Sequence, residues 1–518
     1  MLRTHPIVAA VATAILFTAC ADTDRLTAPT PPDATRINAL VIDAGATCDG
    51  AVMPVAECSA LVTLFNVTNG TGWTNNTNWG VGNNPCLWYG VTCSQGLSGQ
   101  VTGIALRQNA LAGPIPPQLA NLPELTVLDL TWNTLTGPIP VALTTLPTLE
   151  RLELSLNDLV GGIPAELGTM TSLRTLALGQ NALGGTIPAT LGNLTNLEYL
   201  YLENANLSGN IPASLGALSH LEYLDLDLNG LTGAIPAELG NLGAIKGLSM
   251  SYNNLSGTLP ASLGDLVTLE SLAMPNNALT GSIPASFGNL TQLRTISFRS
   301  NALSGPLPAS LGNLTQVEFM ELHQNAFTGS IPVTFGQLAA LKSLQLNDNQ
   351  LSGEIPASLG ALANLQVAEL ENNQLSGVLP LSIAAWDDLS VECTLTPGNG
   401  GLLAPDIAAY RALDHDGDGT ICGVPFVTVE EVEDDTVEDI EDLVPGTLNG
   451  GQGNALLTKF NHAVDKANQG QYQVAINMML SFIQQVTEMI GNGTLTPAEG
   501  TPLIQQAELL IVAWTAQL

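Results

Sequence analysis

From Leu106 to Pro380 one phrase returns every 24 residues: Leu-x-x-Leu-x-Leu-x-x-Asn, then Leu, a Thr or Ser, Gly, any residue, Ile or Leu, and Pro. Its glycines stand at 113, 137, 161, 185, 209, 233, 257, 281, 305, 329, 353 and 377, twelve units without an insertion or deletion. A core of mixed elements has no reason to hold register over about 290 residues, whereas a stack of equal coils must. The chain is therefore expected to fold as an α/β repeat solenoid.

Within a unit, Leu125, Leu128 and Leu130 precede Asn133; Leu221, Leu224 and Leu226 precede Asn229; Leu341, Leu344 and Leu346 precede Asn349. The last two leucines are two apart and share one face of a short strand, so stacked units form a parallel sheet. One coil cannot bury its leucines alone, and the ends of the stack need caps. The Asn turns the chain off the sheet, and its amide can satisfy turn backbone groups worth about 1–3 kcal/mol each. Eleven units have it; the fifth has Ala205. The following Gly-x-Ile-Pro, as in Gly233 to Pro236, sets an extended turn before a Leu-Gly-x-Leu segment expected to form one helical turn.

On these residues the chain resembles the plant-type class of leucine-rich repeat proteins, over residues 99–388. The resemblance implies a parallel sheet on the concave side of the solenoid and recognition of a protein, peptide or glycan there. Residues 48–98, with Asn69-Gly70, Trp73, Trp79 and the run from Cys86 through Trp88 to Cys93, are similar to the N-terminal cap of that class. Bulky aromatics and a disulfide suit that task, covering the open apolar end of the first coil.

Residues 1–20 read as an export signal: Arg3 and His5, an apolar stretch from Ile7 to Phe17, then Phe17-Thr18-Ala19-Cys20. The stretch is too short for a permanent bilayer span. Small residues before Cys20 resemble a bacterial lipobox, which implies lipidation of Cys20 and anchoring to the envelope or cell surface; the plainer reading is an ordinary cleaved signal and secretion. Residues 21–47 follow as a linker. The six remaining cysteines suit an exported chain and fall as local pairs, Cys48 with Cys58, Cys86 with Cys93, and Cys393 with Cys422.

A net charge of −33 with 13 Lys and Arg excludes a nucleic-acid partner and disfavours anionic lipid, leaving a lipid anchor as the one membrane contact. It favours basic protein surfaces or Ca²⁺. The run from Glu430 to Asp442 accounts for nine of the acids, and residues 427–447 are expected as a disordered, self-repelling linker. Before it, in a C-terminal cap spanning 389–426, Asp414, Asp416 and Asp418 followed by Gly419 have the spacing of a calcium loop, with Thr420 offering a carbonyl. The segment resembles dockerin and excalibur-type loops. Pro425 stands where an EF-hand carries its bidentate Glu, so weak binding is expected.

From 448 to 518 the period changes to helical. Leu456, Leu457, Phe460, Ala463 and Val464 fit one helix face; Val474, Met478, Phe482, Ile483, Val486 and Ile490 a second; Leu503, Ile504, Ala507, Leu510, Ile511 and Trp514 a third, opened by Thr496, Pro497 and Glu499. This stretch resembles the three-helix FIMAH module of bacterial extracellular proteins.

Outward strand positions lie six, four and two residues before each Asn. Units five and six stand out there, with Tyr199, Tyr201, Glu203, Tyr223, Asp225 and Asp227, and Tyr252 beside them in unit seven. Aromatics ringed by carboxylates compose many recognition hot spots. A thinner group is Arg299, Phe319, Glu321 and His323. No spaced histidine pattern, nucleophile motif or phosphate loop suggests an enzyme, and nothing next to Asp225 and Asp227 suggests a raised carboxyl pKa. Recognition or adhesion is the expected role. The alternative, a protective element on a lattice such as polysaccharide or ice, wants one residue type repeated at one outward position, and the position four before the Asn is varied instead.

Overall fold

The computed structural model describes residues 42–43, 48, 50, 52–94, 99–388, 392–414, 420–444 and 446–518. It divides into two compact units, one built on residues up to Leu149 with Leu156–Leu159, the other on Glu150–Ser155 and Val160–Leu518.

In the first unit, helix α1 (Val55–Val67) buries Cys58, Leu61, Leu64 and Phe65. Phe65, Trp73, Trp79 and Trp88 form one aromatic cluster, with Trp79 centred 4.8 Å from both Trp73 and Trp88. All three tryptophans are buried, as a capping core requires. The bridges Cys48–Cys58 and Cys86–Cys93 fasten this cap. Val91–Cys93 then pairs antiparallel with Val101–Ala105, the strand of the first repeat. The Glu57 carboxylate, buried in the cap, accepts the Val101 N–H at 2.8 Å.

In the second unit the strands of successive repeats lie side by side and parallel, from Arg151–Glu153 through Tyr199–Tyr201 and Tyr223–Asp225 to Glu392–Thr394. The register advances one repeat per strand, so Leu200, Leu224 and Leu248 stack in one fully covered row. The segment holding the repeat glycine makes a second parallel sheet, and the repeat Pro leads into a 3-10 turn such as Ala237–Asn241, except at Pro380, where an α-helix follows. Gly240 in that turn has no room for a side chain, since a Cβ there would lie 2.5 Å from the Ser262 carbonyl oxygen of the next coil.

The asparagine ladder behaves as its position predicts. Asn253 donates from Nδ2 to the carbonyls of Leu226, Met250 and Ser251, and its Oδ1 accepts the Leu231 N–H at 3.0 Å. Ala205 breaks the ladder. The Leu183 N–H, which by this pattern would reach an asparagine at 205, finds no side-chain acceptor among the described residues, and residues 182–186 form no strand where neighbouring units have one.

Three expectations are corrected. The repeat geometry runs one coil beyond the twelve units, into the region expected as a cap. Glu392–Thr394 joins the first sheet, Asn399 takes the ladder position with Leu375 N–H on its Oδ1, and Gly401–Pro405 joins the second sheet. Spacing hid this coil, because Asn399 follows Asn373 by 26 residues. Helix α2 (Leu381–Asp388) leads into it, helix α3 (Ala408–Arg411) follows it, and the Cys393–Cys422 bridge ties it down.

The acidic run is not a linker. It is helix α4 (Val429–Leu443), opened by a capping box between Thr428 and Glu431 and burying Val432, Thr436 and Ile440 along one face. Apolar residues at helical spacing decide the fold here, while the carboxylates take the wet face and the first-turn acids favour the helix dipole. The tail therefore packs as four helices, α4 with α5 (Gly450–Asn468), α6 (Tyr472–Gly491) and α7 (Pro497–Thr515), around Phe460, Phe482, Val486, Leu503, Leu510 and Trp514. Val378, Leu403 and Val427 of the second sheet pack against the same core.

Helix α6 is rotated from its expected face. It buries Ala475, Ile476, Met479 and Met489 with Phe482 and Val486, leaving Val474 exposed. The Thr496–Glu499 capping box of α7 is as expected. Among the described residues no helix is long and apolar enough to cross a membrane.

Candidate functional site

The outward residues of units five and six come together as the strand register demands. Tyr199 sits opposite Tyr223, and Tyr201 opposite Asp225. The Tyr199 ring stacks on Tyr223 at 5.7 Å with 8° between planes, and lies 6.2 Å from Tyr201. These rings need space on the neighbouring coils, and glycine supplies it. A Cβ at Gly247 would meet the Tyr223 ring at 2.7 Å, and one at Gly179 would meet the Glu203 carboxylate at 2.2 Å. Gly179, Gly247 and the Ser249 and Ser251 hydroxyls are parts of the site that sequence reading passed over. Their signal is small residues at outward positions flanking large ones.

The carboxyls are deeper than expected. Asp225 is only 6% exposed. Its Oδ1 accepts the Asp227 N–H, while Asp227 Oδ1 takes the Ser249 hydroxyl at 2.6 Å and the Ser251 N–H. The Glu203 Oε2 atom is buried without a partner. Burial, then the neighbouring Asp227 charge, pushes Asp225 up to about 8. Burial pushes Glu203 up to about 7 and raises Asp227 as well. The expectation that nothing beside Asp225 and Asp227 raises a carboxyl pKa is thus overturned: each burial disfavours the charged form, and three acids on adjacent coils repel. Burial also raises Tyr201 to about 12, which keeps its hydroxyl protonated.

Tyr252 does not share the strand face. It occupies the position just before the ladder Asn, where every unit turns with positive φ, +53° for Tyr252 and +56° for Leu228. Both side chains are about half exposed, and the Tyr252 hydroxyl meets Arg299 two units on. Leu228 gave no sign in the sequence.

The thinner group is organised otherwise. Arg299 pairs with Glu321 at 3.5 Å and donates to the Tyr252 hydroxyl at 3.3 Å, and Ser297 donates to Glu321 at 2.8 Å. Lys342 lies 5.9 Å above the Phe319 ring and pairs with Glu318. Burial and then Arg299 lower His323 to about 4, so it is neutral, with Nδ1 buried and unpartnered.

Cys20, Asp416 and Asp418 lie outside the described residues. Asp414 follows α3 and Thr420 opens the short strand Thr420–Ile421, paired antiparallel with Val424–Val427. Among the described residues no cluster of three metal-ligating side chains occurs.

Family models described as leucine-rich repeat match residues 171–231, and 124–146, 244–266, 268–290, 292–314 and 340–362. Comparison with curated protein sequences finds no match. Among solved structures the chain is similar to the plant peptide hormone receptor RGFR1 in complex with RGF2, at 35% identity over 58% of this chain and 46% of that one, TM-score 0.52. It is similar to PEPR1 in its AtPEP1 structure, at 30% identity over 67% and 51%, TM-score 0.56. A third is the Arabidopsis receptor kinase HAESA with the peptide hormone IDA and co-receptor SERK1, at 30% identity over 64% and 66%, TM-score 0.50. The chain spans about half the length of the first two. With parallel sheets in register, an asparagine ladder and these matches, the repeats of this chain are leucine-rich repeats folded as a solenoid.

Proposed function

We propose that this is an exported recognition protein that binds a protein or peptide segment on the strand face of units five to seven, through Tyr199, Tyr201 and Tyr223 with Glu203, Asp225 and Asp227 beside them and Tyr252 at the edge. The observation that supports it best is the stacked tyrosine shelf with small residues on both flanks. Rigid aromatic area with a hydrogen-bonding tip is what hot spots are made of. The similar receptors are described with peptide hormones, which favours a peptide over a glycan. The role is binding and not catalysis.

The test is comparative capture from culture supernatant and envelope extract with the full chain and with Tyr201→Ala/Tyr223→Ala. Proteins or peptides held by the wild type and lost by the variant support the reading. Equal capture by both removes it. Retention of oligosaccharide alone would hand the shelf to a glycan.

Two further assignments belong to this reading. Cys20 is the lipid-modified residue that tethers the chain to the envelope, so a fatty-acid analogue should label the wild type and not Cys20→Ala. Asp414, Asp416 and Asp418, with the Thr420 carbonyl, hold Ca²⁺ weakly, in the extracellular range of roughly 10⁻⁴–10⁻³ M. Calorimetry should detect this in the wild type and not in Asp416→Ala. No heat at several millimolar Ca²⁺ would leave the segment an acidic turn closed by Cys393–Cys422.

A further inference from the structure

We propose that the group seated on the tyrosine shelf is a single basic side chain, an arginine guanidinium or a lysine ammonium carried by an extended segment, with its charge against Glu203, Asp225 and Asp227. This rests on the reading of the shelf as the binding face and names the chemistry it takes.

Three observations point there. First, the three acids lack a cation. Among the described residues no Lys, Arg or His pairs with Glu203, Asp225 or Asp227; the nearby cations are committed, Lys246 to Glu222 at 2.8 Å and Arg299 to Glu321. Second, the donors they do have leave capacity unused. Asp225 and Asp227 receive backbone N–H groups and a serine hydroxyl, and Glu203 has the Gln180 amide beside it while its Oε2 is buried without a partner. Third, the stacked rings of Tyr199, Tyr201 and Tyr223 adjoin these acids along the strands, and the aromatic face attracts a cation on the same side as the carboxylates do. A planar guanidinium satisfies both demands at once, stacking on a ring while donating in a fork to a carboxylate.

With Asp225 held up to about 8 and Glu203 to about 7, the trio retains protons near neutrality. The groups acting on the trio are Gln180 of unit four and Ser249 and Ser251 of unit seven, with Tyr201 opposite Asp225; Glu198, Glu222 and Lys246 act on the neighbouring Tyr199 ring. None supplies a free positive charge. An incoming cation favours the ionised carboxyls, so seating it expels a proton, and raising the pH removes that cost. Affinity for a basic ligand must therefore increase from pH 6 to pH 8.5, and an uncharged isostere must show no such rise.

The test uses the full chain and a phage-displayed library of random nine-residue peptides, selected in parallel at pH 8.5 on wild type, Tyr201→Ala and Asp225→Asn. The expected result is an Arg or Lys enriched at one position of the wild-type pool and lost from the Asp225→Asn pool. Glu203→Gln serves as a second variant should Asp225→Asn disturb folding, which circular dichroism reports. The enriched peptide should then bind at least about tenfold tighter at pH 8.5 than at pH 6, and its citrulline counterpart should lose both the affinity and the pH response. Peptides that depend on Tyr201 but carry no basic residue, or whose affinity is flat with pH, would overturn this inference while leaving the recognition face in place. Pools indifferent to Tyr201→Ala would remove the face itself.

Discussion

Two patches on the outward strand face share a composition and differ in their bookkeeping of charge. Around Phe319, each acid already has its cation: Glu321 has Arg299, and Glu318 has both Lys342 and Arg294. Around Tyr201 the acids have backbone amides, serine hydroxyls and one another, and burial keeps protons on them. The first patch has its charges met, and what it leaves unpaired is one neutral ring nitrogen, Nδ1 of His323. The second holds unmet demand in an apolar, aromatic setting, which is where an added partner contributes most free energy.

The sharpest way to break this contrast is to truncate one ring in each patch and measure binding of the ligand that capture or selection returns. Tyr201→Ala should cost about 2 kcal/mol, close to thirtyfold in affinity, and Phe319→Ala less than about twofold. Equal losses would mean that both patches lie under one large interface.

The second measurement is stability against pH. Asp225 has a folded pKa raised well above its unfolded value, so the folded state binds the extra proton and loses stability as pH climbs through about 8. Asp225→Asn keeps the acceptor for the Asp227 N–H and removes the charge. It should be neutral near pH 4, where the unfolded carboxyl also keeps its proton, and increasingly stabilising from there to about pH 8, with the full gain present at pH 9, read from urea midpoints. Glu321→Gln should be slightly destabilising instead, by about 0.5 kcal/mol, because it frees Arg299. If Asp225→Asn gives the same gain at both pH values, the trio is not protonated in the wild type.

The repeat scaffold was legible because its physics is local: Leu128 and Leu130 two apart, Asn133 at the turn and Gly137 at positive φ each need only their own coil and the next. The tyrosine cluster was legible for the same reason, since a fixed register converts sequence offset into adjacency. What the strands cover was not. Asp225 lies opposite Tyr201 and beside Asp227, and its depth is not written in that adjacency; the ring and carboxylate directions follow from the room left at Gly247 and Gly179, which look like nothing in a one-dimensional row. Tyr252 stands beside the strip and not on it, because the residue before each Asn sits in a left-handed turn, off the strand. The acidic helix was missed because nine charges drew attention from Val432, Thr436 and Ile440 at helical spacing.

A smaller effect is expected at the flaw in the ladder. Ala205 is fully buried next to the unit whose Leu183 N–H lacks a side-chain acceptor. Ala205→Asn should add about 1 kcal/mol and slow amide exchange at Leu183, Gly184 and Gly185. No change at Leu183 would mean that water already fills the role, and the proximity of this weak coil to the tyrosine shelf would lose its interest as a source of adaptability.

The smallest effect tests the closed patch on its own terms. Glu318 is held below the usual carboxylate range, first by the Lys342 hydrogen bond and then by Arg294, at 2.5 and 2.9 Å. A lowered carboxyl contributes stability that is present above its unfolded value near pH 4 and is lost as pH falls through the folded one. Both cations are about half exposed, so screening leaves each pair little. Arg294→Ala should cost no more than about 0.5 kcal/mol at pH 7 and low salt, and less at 1 M NaCl. Lys342→Ala should cost slightly more, because the ammonium also rests over the Phe319 ring. A loss of several kcal/mol from either would show that the pairs around Phe319 hold the coils together, and the contrast between a closed and an open patch would then be one of structure against binding, not of charge met against charge unmet.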